Sequence, residues 1–130
     1  MKRAAWPVVW GPVIAYAGLV VFMSSLSASD LGPSVIWRFD KLIHTAEYAV
    51  LGALSCRALL LGPGLSARWA VPLAIVAAFL FGLSDEWHQS FVPGRDSSGW
   101  DALADLTGAI LGSTAYLLAS RRLAPARTDS

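Results

Sequence analysis

Twenty-one consecutive residues, Trp6 to Leu26, carry no charged side chain, and a helix needs roughly 20 mostly apolar residues at 1.5 Å each to cross a bilayer. Three further stretches approach that length: 42–61, 69–84 and 102–120. The second is interrupted by His44, Glu47 and Arg57 and stops at Gly62-Pro63-Gly64, a helix breaker. The third is expected to start near Trp69, with Pro72 in its first turn where a missing N–H is tolerated, and to stay apolar as far as Ser84. The fourth opens with Asp101 and Asp105 and stops at Arg121-Arg122. A cleaved signal peptide is the rival reading of the first stretch. Its apolar core exceeds the usual 7–15 residues or so and contains Pro12, which favours a retained span.

Four such spans use about 80 residues, and the chain has 130. The expectation is therefore one all-α domain over 1–130, a four-transmembrane-helix bundle with no room for a separate soluble unit. Composition agrees: 55% of residues are hydrophobic and only 15% charged, against about 25% charged in ordinary soluble domains. The formal net charge of +1 gives no sign of a nucleic-acid partner. A lone cysteine, Cys56, rules out an internal disulfide, a zinc ribbon and a redox CxxC pair.

Four spans put both termini on one side, and basic residues near span ends prefer the cytoplasm. On the terminal side lie seven bases, Lys2, Arg3, Arg57, Arg68, Arg121, Arg122 and Arg127, opposed by Asp129 alone. The other side holds three bases, Arg38, Lys41 and Arg95, and eight acids: Asp30, Asp40, Glu47, Asp85, Glu86, Asp96, Asp101 and Asp105. This segregation predicts a bacterial inner-membrane protein with cytoplasmic termini and outward-facing polar loops. The tryptophans fit as interface anchors, with Trp6, Trp10 and Trp69 near the inner ends and Trp37, Trp87 and Trp100 near the outer ends.

Three outer segments carry the polar residues: Asp40 to Tyr48, Asp85 to Arg95 and Asp101 to Gly112. Residues three and four apart share a helix face, so Asp40, His44 and Glu47 line one face with Tyr48 beside them and Lys41 a step round. Glu47 lies about 9 Å beyond Lys41 along the axis, toward the hydrocarbon, and needs a partner. Asp85 pairs with His88, Glu86 with Gln89, and Asp101 with Asp105 by the same spacing; Gly108 and Gly112 continue the last face and permit close backbone approach. Lys41 and Arg95 can neutralise two carboxylates, and Tyr48 and Gln89 can donate hydrogen bonds. That leaves an excess of acid to be protonated, solvated or matched by a cation. Pro93-Gly94 forms a turn that aims Arg95 in a defined direction. Arg57 and Cys56, about 20 Å along the helix from His44, are expected only to snorkel and to pack.

Two chemistries suit this constellation. His44, Glu47, Asp85, His88 and Asp105 offer nitrogen and oxygen ligands for a divalent metal such as zinc, manganese or iron, although the full double ExxH set of carboxylate-bridged bundles is missing. General acid/base work is the other, with His44 or His88 beside a carboxylate and Arg95 gripping an anionic group. No nucleophile stands out: Ser24, Ser25, Ser97 and Ser98 lack a GxSxG or SxxK context and read as solvated.

The DK-two-residues-H-two-residues-EY segment, DEWHQSFVPGR and DALADLTGAILG together resemble the VanZ-like family of small bacterial membrane proteins, over roughly Val20 to Leu117. Ser24 and Ser25 fit as well; Asp105 departs from the asparagine that many relatives carry and adds an acid. By this resemblance Asp40, Lys41, His44, Glu47, Tyr48, Asp85, Glu86, His88, Gln89, Arg95, Asp101 and Asp105 occupy the motif positions. The family takes its name from a protein associated with teicoplanin resistance, which implies a link to the cell envelope and to antibiotic resistance without fixing a reaction. The expected function is binding or acting on an envelope lipid, glycan or peptidoglycan precursor, with His44, Glu47, Asp85, Glu86 and His88 at the centre. The alternatives are a proton- or metal-coupled transporter, which with four short spans needs an oligomer, and a structural assembly module.

Overall fold

In the computed structural model, which describes residues 4–32 and 39–123, the chain forms an all-α bundle of four helices. They are α1 (Trp6–Ser24), α2 (Asp40–Leu61), α3 (Ala67–Gln89) and α4 (Gly99–Leu123). Lys2, Arg3, Trp37, Arg38, Arg127 and Asp129 lie outside the described residues. Helices α1, α3 and α4 are long and apolar enough to cross a membrane. Helix α2 has 22 residues, about 33 Å of helix against a hydrocarbon core of about 30 Å. It is less apolar because His44, Glu47 and Arg57 interrupt it, and it packs most extensively against α4.

α1 begins at Trp6 and α2 ends at Leu61 as the apolar runs predict, whereas the other helix ends differ. α3 does not stop at Ser84 but continues through Gln89, and its C-terminal turn is held by Gln89 Nε2 donating to Asp85 Oδ2 at 3.2 Å. Pro72 is not in the first turn: α3 starts at Ala67, so Pro72 is its sixth residue, inside the helix. α2 starts at Asp40 and α4 at Gly99, which places the polar motif residues on terminal helical turns with fixed side-chain directions. Ser98 caps α4, its Oγ accepting from Asp101 N at 3.3 Å and donating to Asp101 Oδ2 at 2.9 Å.

Small residues make the interior. Along α3 the buried row is Ala70, Ala74, Ala78, Gly82 and Glu86, one residue per turn. Between α2 and α4 the backbones nearly touch: a Cβ on Gly108 would meet Thr45 O, one on Gly112 would meet Ala49 O, and one on Gly52 would come within 2.7 Å of Ala109 O. Such seams let helices associate where lipid offers no hydrophobic driving force. Ser113 adds a hydrogen bond to Gly52 O at 3.1 Å. Tyr48, Leu51, Ala78, Ala109 and Val20 form the apolar core, flanked by Val13, Tyr16, Ala17 and Phe81. α1 thus supplies Val13, Tyr16, Ala17 and Val20 to this core.

Large apolar side chains face outward on every helix, among them Ile14, Leu19 and Phe22 on α1, Val76 and Leu80 on α3, and Ile110 and Leu118 on α4. Soluble monomers rarely expose apolar surface on this scale; it is a lipid-facing surface, and the chain is a membrane protein. Trp6 and Trp69 are exposed at one end of the bundle, Trp87 and Trp100 at the other, as interface anchors would be. Arg57 does more than snorkel: its Nη1 donates to Val8 O at 3.2 Å, tying α2 to the start of α1.

Candidate functional site

The end of α1, the start of α2, the end of α3 and the start of α4 meet at one end of the bundle. Their polar side chains are buried there: His44, Asp85, Glu86, Gln89, Asp101 and Asp105. The centre is His44. Its Nδ1 lies 2.8 Å from Asp105 Oδ1 and 3.7 Å from Glu86 Oε1, and its Nε2 is 3.7 Å from Asp40 Oδ1. Lys41 Nζ donates to Asp40 Oδ2 at 3.1 Å and also to Asp101 Oδ1. Glu86 Oε2 accepts from Ser98 N at 3.3 Å. Three helices thus contribute to one continuous polar group.

Beside it opens a cleft of about 130 Å³ lined by Met23, Ser24, Leu31, Asp40, Ile43, His44, Glu47, Gln89 and Arg95. A second recess of about 300 Å³ shares Asp40, Gln89 and Arg95 and extends over Lys41, Ser98 and Asp101. Arg95 is aimed at both by a turn in which Arg95 N donates to Val92 O at 3.2 Å and Gly94 takes φ +74°, the proline-glycine type II geometry. Ala28 N reaches Pro93 O at 3.4 Å, so the two loops at this end support each other. In the first loop Ser27, through its hydroxyl and its backbone N–H, holds the exposed Asp30 carboxyl below the usual carboxylate range.

The chain matches the VanZ/LLP1 family model over residues 9–120, a stretch that contains every residue of this cluster. It belongs to the VanZ/LLP1 family. Comparisons with curated proteins and with solved structures return no match.

Within this VanZ-like chain the motif residues have distinct surroundings. Asp40, Lys41, His44, Glu86, Asp101 and Asp105 contact one another directly. Glu47, Gln89 and Arg95 line the adjoining cleft. Tyr48 is fully buried, and its hydroxyl, able to donate a hydrogen bond, has no partner among the described residues. Asp85 is buried and engaged by Gln89 rather than by His88. His88 stands apart from the cluster. It is exposed, and its Nε2 lies 3.0 Å from Ser25 Oγ.

Among the described residues, two groups of three side chains bring ligand atoms within 4.8 Å of one another: Asp40, His44 and Asp101, and His44, Glu86 and Asp105. Of the metal ligands expected from the sequence, only His44 and Asp105 fall in them. Glu47 faces the cleft, Asp85 is held by Gln89, and His88 looks outward.

Three serines read from sequence as merely solvated are not: Ser24 is buried and lines the cleft, Ser98 contacts the cluster, and Ser25 contacts His88 beside it. Ser98 touches both Asp101 and Glu86, and its S-x-x-D spacing before an apolar run is a legible capping signal. The Ser25 contact to His88 spans 63 residues and left no local signal.

Proposed function

We propose that this chain is a multi-pass protein of a bacterial inner membrane, with both termini in the cytoplasm, that binds the headgroup of an envelope lipid or lipid-linked glycan at the outer leaflet. The observation that carries the reading is the two-part lining of the cleft: Met23, Leu31 and Ile43 are apolar, while Asp40, His44, Glu47, Gln89 and Arg95 are polar. An amphiphile presents the same division, with acyl or prenyl chain against the apolar part and hydroxyls or phosphate against the polar part. Carboxylates accept from sugar hydroxyls, and the Arg95 guanidinium suits a phosphate or carboxylate. The four helical spans, α2 included, set this cleft at the end opposite Arg57, Arg68, Arg121 and Arg122, which the positive-inside rule assigns to the cytoplasm.

Any turnover would centre on His44. Asp105 orients the imidazole through Nδ1, and Nε2 is the nitrogen on the Asp40 side, where it can hydrogen-bond a bound hydroxyl or water. The test is native mass spectrometry of the full chain released from membranes with its lipids. The wild type should retain a defined class of envelope lipid, and Arg95→Ala and Glu47→Gln should lose it at unchanged folded abundance. Equal lipid retention in all three proteins would overturn the reading. The same variants measured for teicoplanin susceptibility test the resistance link that the family name carries.

A further inference from the structure

One imidazole nitrogen faces two carboxylates. His44 Nδ1 is 2.8 Å from Asp105 Oδ1 and 3.7 Å from Glu86 Oε1, and a single proton on that nitrogen can satisfy only one of them. The arrangement leaves Glu86 Oε1 and Asp105 Oδ2 buried with no hydrogen-bond partner. These residues are 8% and 1% exposed, and His44 is 5% exposed, so bulk water does not make up the deficit. An unsatisfied buried carboxylate oxygen is costly, by about 1–3 kcal/mol or more when charged.

The local charge points the same way. Around His44 stand Asp40, Glu47, Asp85, Glu86, Asp101 and Asp105, and the cationic side chains on this side of the cluster are Lys41 and Arg95. Lys41 is already committed to Asp40 and Asp101.

We infer that His44, Glu86 and Asp105 form a binding site for one divalent first-row transition metal ion, held between α2, α3 and α4. Ligand atoms bonded at about 2.0–2.2 Å and separated by tetrahedral or octahedral angles lie roughly 3.0–3.4 Å apart, and the 2.8 and 3.7 Å separations bracket that range. The ion bonds Nδ1, Glu86 Oε1 and Asp105 Oδ1, and so engages both carboxylates at once, which one proton cannot. One imidazole with two carboxylates selects manganese, iron or zinc over calcium and magnesium, which prefer all-oxygen shells. Glu86 is further oriented by Ser98 N on its other oxygen, the kind of outer support that metal carboxylates need. The site does not depend on the lipid reading, since its ligands lie on the buried side of His44, behind the cleft.

The test uses the full chain purified in detergent without chelator, with metal content measured directly and Co²⁺ titrated as a spectroscopic probe. The expected result is saturable uptake of one equivalent per chain, with ligand-field bands that persist in millimolar Mg²⁺. Asp105→Asn and Glu86→Gln, each nearly the size of the original, should weaken Co²⁺ binding by more than about 100-fold, beyond what loss of an outer partner causes. Asp30→Asn, an exposed acid at the same end, should leave it unchanged. A circular-dichroism melt on each variant separates lost binding from lost folding. Absence of saturable uptake in the folded wild type, or equal uptake in both ligand variants, overturns the site while leaving lipid retention untouched.

Discussion

Asp105 Oδ1 sits 2.8 Å from His44 Nδ1 with both side chains buried, and the contact exists because α2 and α4 approach closely one turn further along, where Gly108 meets Thr45. The backbone seam sets the distance at which the polar pair can form. Asp105→Leu should strand the imidazole nitrogen and lower stability by about 1–3 kcal/mol, the cost of an unsatisfied buried polar group. Asp105→Asn keeps an acceptor at the same place and should cost less. Denaturant or heat unfolding of the two variants in the same detergent checks the ordering, and equal losses would count against a specific His44–Asp105 contact.

The seam makes its own prediction. A methyl group at Gly112 would run into Ala49 O, and one at Gly108 into Thr45 O; in both cases the obstacle is backbone, which cannot swing aside. Gly112→Ala and Gly108→Ala should each destabilise by about 1–3 kcal/mol through overpacking and disturb the site along with the fold. Gly18→Ala on α1 meets nothing within 4 Å and should be neutral or stabilising, by up to about 1 kcal/mol, because it removes a helix-interior glycine. Folded abundance in membranes and thermal midpoints in detergent give the comparison.

Lys41 joins two carboxylates of unlike burial: its own side chain is 53% exposed, Asp40 is 30% exposed and Asp101 is 2% exposed. Replacing Lys41 with Met leaves Asp101 buried with Ser98 as its remaining hydrogen-bond partner. The expected loss is about 1–3 kcal/mol, toward the lower end because solvent already screens the lysine. A double-mutant cycle with Asp101→Asn should recover a coupling that is absent between Lys41 and a distant acid such as Asp30.

Much of this architecture is legible in the amino-acid sequence, because the long apolar runs and the i,i+4 pairs belong to single helices. Asp40 with His44, and Asp101 with Asp105, share faces by spacing alone, and both pairs lie in the cluster. What spacing within one helix does not reveal is how α3 is rotated against its neighbours. The row Ala70, Ala74, Ala78, Gly82 carries that information, since small residues every fourth position mark the buried stripe and lead to Glu86. His88 falls off the stripe and faces out, which is why the expected pairing of Asp85 with His88 gives way to Asp85 with Gln89. The contact between Ser25 and His88 depends on where α1 ends relative to α3, a tertiary fact with no local signature.

Orientation can be decided with the protein's own chemistry. Cys56 is buried and is the single cysteine of the chain, so Cys56→Ala supplies a background free of thiols at the cost of one sulfur in a tight interior. Ser29 and Ser97 are exposed in the two loops beside the cleft, and Ser66 is exposed in the short connection between α2 and α3 at the other end. Ser29→Cys and Ser97→Cys should react with a membrane-impermeant maleimide in cells whose outer barrier is permeable to it, whereas Ser66→Cys should react only after lysis. The bases near the Ser66 end, Arg57 and Arg68 with Arg121 and Arg122, drive that outcome, because moving basic residues across during insertion is what the positive-inside bias opposes. A reversed labelling pattern would turn the cleft toward the cytoplasm, so that its lipid would have to come from the inner leaflet. The His44, Glu86 and Asp105 cluster would keep its ligand geometry in either orientation.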